Sequence, residues 1–177
     1  MEIISKSSEQ TQKIAEILGR TILESEILGS SPRMPKASCV AKKNSALVLA
    51  LEGDLGGVKT TFIQGLAKGL GVRETLTSPT FVIMKSYYIP HPSFPLLEKE
   101  RGLVAFYHLD CYRLKDENDL EALGIKEILA DSKNIVAIEW AERVRKILFE
   151  DAVKIKFEVI DENTRDVKIC NYSNCSN

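Results

Sequence analysis

From Ala46 to Leu51 the chain is an unbroken apolar run, Ala46-Leu47-Val48-Leu49-Ala50-Leu51. It then turns through Glu52-Gly53-Asp54-Leu55-Gly56-Gly57-Val58 and resumes after Lys59-Thr60-Thr61 as an amphipathic segment from Phe62 to Leu70. An apolar run of strand length, a glycine-rich turn and a Lys-Thr pair opening a helix make the layout of a phosphate-binding loop. The residue types follow from the task. A triphosphate is held largely by backbone N–H groups, and small residues let the backbone wrap it closely. The N-terminus of the following helix adds positive partial charge. Lys59 is placed to reach the β- and γ-phosphates, and the Thr60 hydroxyl to ligate Mg²⁺.

The pattern G-x-x-x-x-G-K-[ST] is met at Gly53, Lys59 and Thr60, with Val58 in the place of the second glycine. A β-branched residue there brings bulk toward the phosphates and resists positive φ. The alternative is a glycine-rich strand-to-helix turn with no ligand.

At 177 residues the chain suits one α/β domain, 1–177. Its formal net charge of -1 offers no global attraction to nucleic acid or an anionic membrane, so any RNA is expected to arrive through a partner. Cys39, Cys111, Cys170 and Cys175 lack C-x-x-C spacing, and His91 and His108 lie in different contexts, which argues against a structural zinc site. Without a signal-like N-terminus or a run of roughly 18 apolar residues, the expectation is a cytoplasmic protein with reduced thiols.

Along the chain, residues 2–7 read as an edge strand. Ser7 with Gln10 forms a capping box for a helix reaching about Leu28, with Ile14, Ile17, Leu18, Ile22 and Leu23 on its apolar stripe. Gly29 to Asn44 reads as a surface loop. The hydroxyl-rich stretch Thr75 to Thr80 leads into an expected strand from Phe81 to Tyr88. It is either a switch-like segment offering a hydroxyl to Mg²⁺ or phosphate, or a plain Ser-Pro turn. Prolines 90, 92 and 95 make Ile89 to Glu100 a hairpin-like excursion.

Two further apolar runs end on acids: Leu103 to Asp110, and Ile135 to Glu139 followed by Trp140. Ligands of open α/β sheets gather at the carboxyl ends of strands, so Asp110 stands either at a site or as a helix cap. Glu139 is the candidate Mg²⁺ carboxylate, and Trp140 lies beside it as a site or core residue. Residues 116–130 read as a helix interrupted near Gly124. Ala152 to Ile160 and Asp166 to Tyr172 read as an antiparallel C-terminal hairpin.

Four stretches in this order, Gly53 to Phe62, Ser78-Pro79-Thr80-Phe81, His108 to Leu114 and Ile138 to Arg143, closely resemble the bacterial TsaE family, formerly YjeE, over nearly the whole chain. The resemblance implies a P-loop NTPase-like three-layer α/β fold with a mixed, mostly parallel sheet. It also implies ATP and Mg²⁺ as cofactors, slow hydrolysis, and work beside TsaB and TsaD in threonylcarbamoyladenosine modification of tRNA at adenosine 37. On matching positions it makes Gly53, Asp54, Leu55, Gly56, Gly57, Val58, Lys59, Thr60 and Thr61 the nucleotide loop and Thr80 part of a switch near the metal. Asp110 becomes the water-orienting residue, Glu139 the Mg²⁺ carboxylate and Trp140 a neighbour of the nucleotide.

The family usually reads G-A-G-K-T-T where this chain has Gly56-Gly57-Val58-Lys59-Thr60-Thr61. A degenerate P-loop module that only binds proteins is therefore a second reading, and a small-molecule kinase a third. No arginine-rich helical insert follows the central strands, as a kinase lid requires. Asp110 and Glu139 are both candidates to orient water.

Overall fold

The apolar run at 46–51 becomes β2 (Leu47–Gly53), the middle strand of a seven-stranded sheet ordered β1-β7-β6-β2-β5-β4-β3 in a computed structural model. The structure describes residues 1–28, 45–54, 58–89, 104–115 and 118–172. β2 runs parallel to β5 (Asn134–Glu139) and β6 (Val153–Val159), and β4 (Val104–Asp110) runs parallel to β5. Antiparallel strands complete both sides: β7 (Arg165–Asn171) on β6, β1 (Glu2–Ser5) on β7, and β3 (Met84–Ile89) on β4. The continuous apolar runs fall at the centre because a parallel strand covered on both faces needs apolar residues at every position. All six residues of β5 are buried.

Strand alternation sorts the core into two faces. Leu49, Leu51, Phe106, Ile135, Ala137, Ile155 and Phe157 pack under α1 (Ser8–Leu28) and α2 (Val58–Gly69). Val48, Ala50, Leu109, Val136 and Ile138 pack against α3 (Asn118–Glu121), α4 (Ile125–Ala130) and the turns at 141–147. This is the expected three-layer arrangement, with its mixed sheet and antiparallel β6–β7 hairpin.

Ser7 caps α1 by accepting the N–H of Gln10 at 3.1 Å, while Gln10 Oε1 accepts the N–H of Lys6 at 2.8 Å, one residue earlier than the usual reciprocal partner. The two long helices meet with almost no side chain between them. A Cβ on Gly65 would lie 2.1 Å from the Gln12 carbonyl oxygen, and one on Gly69 2.2 Å from that of Glu16. The carboxylate of Glu16 spans the pair, meeting Lys68 of α2 at 3.3 Å as well as Arg20 of its own helix.

Three expectations need correction or limits. The strand expected at 81–88 begins at Met84, because the N–H groups of Val82 and Ile83 both bond the Pro79 carbonyl and close a turn. Phe81 and Val82 are left exposed by that turn. Reduced thiols hold for Cys111, which is free and buried. They do not hold for Cys170, a partly accessible residue of β7 that is disulfide-bonded. Of the expected loops at 29–44 and 89–100, Ile89 instead ends β3 and the rest lies outside the described residues, although the strands flanking the second, β3 and β4, pair antiparallel as a hairpin requires. Among the described residues no helix is long and apolar enough to cross a membrane.

The glycine contact between α1 and α2 yields a stability test. Gly65→Ala is expected to lower the unfolding free energy by about 1–3 kcal/mol in urea titration, overpacking outweighing the gain in helix propensity.

Candidate functional site

Parallel register sets Leu51 of β2, Glu139 of β5 and Asp110 of β4 in one row at the carboxyl edge of the sheet. Glu139 continues the alternation of Ile135 and Ala137, and Asp110 that of Phe106 and His108, so both carboxylates lie on the α2 side. β2 leaves this edge through Gly53, whose φ of 134° and close approach to Phe157 admit no side chain; a Cβ would stand 2.4 Å from the Phe157 carbonyl oxygen. α2 then starts at Val58 and places Lys59 and Thr60 in its first turn.

The Thr60 hydroxyl bonds the Glu139 carboxylate, 2.9 Å from Oε1 and 3.1 Å from Oε2. His108 Nε2 lies 2.8 Å from the same Oε1. Lys59 is 5% exposed and donates to the carbonyls of Gly53 at 2.6 Å and Asp54 at 2.9 Å. Its ammonium stands 3.8 Å from the centre of the Trp140 ring, a cation–π contact. Trp140 in turn packs on Tyr112, ring centroids 5.0 Å apart.

Asp110 organises the neighbouring strand tip. Its Oδ2 accepts the hydroxyls of Thr80 and, at 3.2 Å, Ser78, while Oδ1 accepts the N–H of Tyr112 at 3.0 Å. The Asp110 N–H donates to the Ile83 carbonyl at 2.9 Å, fastening the 78–83 turn to β4. Among the described residues, the non-glycine positions with positive φ are Ile83 at 65° and Trp140 at 59°. Both border this site. Such a conformation is strained for a β-branched or bulky side chain and persists where surrounding contacts enforce it.

Burial lowers the Lys59 pKa, opposed by Glu139, Glu142, Asp110 and Asp54 around it. Glu142, in the short turn Ala141–Arg143 after β5, is shifted upward, chiefly by burial, with Glu52 adding and Lys59 and Arg143 opposing. Its Oε2 is buried, without a hydrogen-bond partner among the described residues.

The structure brings Lys59, Thr60, Glu139 and Trp140 into direct contact and sets Thr80 on Asp110 at the adjoining tip. Leu55, Gly56 and Gly57 lie outside the described residues. Val58 is the first residue of α2 and packs against the core beneath it, so the positive φ it would resist is not asked of it. On the β6 side of β2, a cleft of about 160 Å³ is lined by Ser7, Thr11, Val58, Thr61, Asn163 and Arg165. Sequence reading missed His108, Ser78, Tyr112 and Glu142 as site residues. His108 stands two residues before Asp110 and Ser78 two before Thr80, so spacing carried a signal for those two. The contacts of Tyr112 and Glu142 depend on how Trp140 turns the chain.

Thr60 and Glu139 offer an oxygen pair. Mg²⁺ favours that donor type, taking one or two protein oxygens and completing its shell with water and phosphate. The residues therefore fit a Mg²⁺ ion carried with a polyphosphate. Among the described residues, no three His, Cys, Asp or Glu side chains gather into a metal cage.

Comparison with known proteins shows the family and the fold. The family described as "Threonylcarbamoyl adenosine biosynthesis protein TsaE" matches residues 5–167. Proteins named tRNA threonylcarbamoyladenosine biosynthesis protein TsaE are similar to the chain. That of Treponema pallidum is 30% identical over 96% of this chain and 99% of its own length, and that of Rickettsia bellii 32% over 88% and 94%. A crystal structure of Bacillus subtilis YdiB superposes with a TM-score of 0.61 at 25% identity, covering 98% of this chain and 86% of that one.

Glu142 gives the site a measurable pH signature. Its folded-state pKa is raised above the ordinary carboxyl value. The stabilisation it contributes is therefore complete below that ordinary value and is lost as pH rises through the folded-state one. Glu142→Gln keeps the neutral shape, so it is expected to melt higher than the unsubstituted chain at neutral pH. The difference should vanish near pH 4, about the ordinary carboxyl range.

Proposed function

Because the chain belongs to the TsaE family of threonylcarbamoyl adenosine biosynthesis proteins, we propose that it is the ATP-binding and hydrolysing subunit for threonylcarbamoyladenosine modification at position 37 of tRNA. In this reading it works in the cytoplasm with TsaB and TsaD as one ATPase domain, and meets tRNA only through that assembly. The observation that supports it best is the convergence of Lys59, Thr60 and Glu139 beside Asp110 at the end of β2.

The assignments follow from what each group can do. Lys59 would exchange the carbonyls of Gly53 and Asp54 for the β- and γ-phosphates, giving the buried ammonium charged acceptors in place of neutral ones. The amides of residues 54–58 and the first turn of α2, including Thr61, cradle the phosphate chain. Thr60 and Glu139 hold Mg²⁺, which when bound offsets the charge of the triphosphate. Asp110 orients the attacking water while Ser78, Thr80 and the Tyr112 amide keep its carboxylate aimed. Thr80 belongs to the switch-like turn, from which its hydroxyl, now on Asp110, would be offered to Mg²⁺. Trp140 covers the lysine and the nucleotide phosphates. With the acids on the β5 side of β2, the nucleoside extends toward the cleft on the β6 side.

Val58 motivates the reading of a degenerate, protein-binding P-loop. Its helical conformation and packing on the core support the nucleotide reading instead.

Calorimetric titration tests the proposal. ATP with Mg²⁺ is expected to bind saturably. Lys59→Ala should lose at least about tenfold in affinity, as for removal of charge-assisted hydrogen bonds worth about 1.5–3 kcal/mol. Asp110→Asn should retain binding and lose about 10²–10⁴-fold in hydrolysis. Unchanged binding in Lys59→Ala counts decisively against the assignment. Because Val58 packs on the core, Val58→Gly is expected to leave ATP affinity little changed, and failure of ATP to bind either chain would favour the protein-binding module.

A further inference from the structure

We propose that His108 is a positioning residue for Glu139, its Nε2–H holding the carboxylate in the one orientation that lets Thr60 and Glu139 share a metal ion. This inference rests on the nucleotide and Mg²⁺ reading of the site.

His108 is fully buried, and its Nε2 lies 2.8 Å from Glu139 Oε1. The Thr60 hydroxyl straddles both oxygens of the same carboxylate at 2.9 and 3.1 Å. A carboxylate that ligates a metal is deprotonated and accepts only, so in that state the hydrogen bond between the two is donated by Nε2–H.

Packing does not account for an imidazole at this position. The same face of β4 carries Phe106, the register neighbour on β5 is Ala137, and an apolar side chain would fill the space without a polar atom. Among the described residues the buried Nδ1 has no hydrogen-bond partner, although buried polar atoms are as a rule paired. The ring thus carries an unsatisfied nitrogen, and its polar contact is with Glu139. A ligating carboxylate fixed by a hydrogen bond from behind is how outer contacts set the direction of inner ligands. From that side, His108 stops the carboxylate rotating away from Thr60.

The test uses the full chain with ADP or a non-hydrolysable ATP analogue. Affinity is measured by calorimetry across a Mg²⁺ titration and again in chelator, beside thermal unfolding. His108→Leu is expected to raise the Mg²⁺ concentration for half-maximal tightening by about 10–100-fold and to leave metal-free affinity unchanged. His108→Gln, whose amide nitrogen reaches the Nε2 position, is expected to restore most of the Mg²⁺ response. His108→Asn, with its amide at the Nδ1 position, is expected not to. Should His108→Leu fail to fold, the contrast between Gln and Asn carries the test.

A Mg²⁺ response in His108→Leu equal to that of the unsubstituted chain overturns the proposal. So does equal behaviour of Gln and Asn, or a parallel fall in metal-free affinity, since both mark a packing role. If the unsubstituted chain shows no Mg²⁺-dependent nucleotide binding, the site reading itself fails, an outcome visible without any variant.

Discussion

Because β2, β5 and β4 run parallel and in register, their carboxyl ends lie at one edge, and Leu51, Glu139 and Asp110 stand abreast there. Parallel strands need crossover connections, so each of these strands finishes at the same edge before its connection begins. The helix that follows β2 must start there too, bringing its N-terminal lysine and threonine to the acids at the tips of β5, beside β2, and β4, one strand further out. A one-residue slip of β5 against β2 would send Glu139 to the other face of the sheet and leave Thr60 without its partner.

What gathers at that edge is one buried lysine among several acids. Lys59 is buried at 5% exposure with two backbone carbonyls and the face of Trp140 as its contacts, and four acids surround it at longer range. A buried ammonium bonded to neutral carbonyls is less well compensated than one bonded to phosphate. The backbone around it bears strain at Ile83 and Trp140, where positive φ aims the 78–83 turn at Asp110 and the Trp140 ring at Lys59. Backbone strain and a lysine whose charge burial disfavours therefore fall in the same place.

The exit of β2 is braced from the opposite face. Glu52, next to Gly53, is buried against Lys154 of β6 at 2.9 Å and accepts the Tyr172 hydroxyl at 3.1 Å. Burial, with Glu52 beside it, pushes the Tyr172 pKa up to about 12, so the phenol stays a donor across the ordinary pH range. Glu52 thereby ties the strand that bears the loop to β6 and to the end of β7. On the near face, Phe157 of β6 presses on Gly53 and packs edge-on with Phe62 of α2, ring centroids 5.4 Å apart. The turn between β2 and α2 thus leaves from a strand end held from both sides.

Local sequence was enough to reveal the strands that end on Glu139 and Asp110, the loop opening on Lys59 and Thr60, the break at Gly124 and the C-terminal hairpin. Apolar period, glycine and capping residues act within a few positions of where they occur. It was not enough for the 79–83 turn, where the pull of Pro79 on two N–H groups displaced the alternation expected from Phe81, nor for the disulfide at Cys170. The partnerships of His108 with Glu139, Thr80 with Asp110 and Lys59 with Trp140 join residues 30 to 81 positions apart. The chain alone marked out which residues carry charge and hydroxyl groups at the ends of elements. Which of them touch was decided by strand order and register, because hydrogen bonds and ion pairs act over a few ångströms and only the assembled sheet sets those distances.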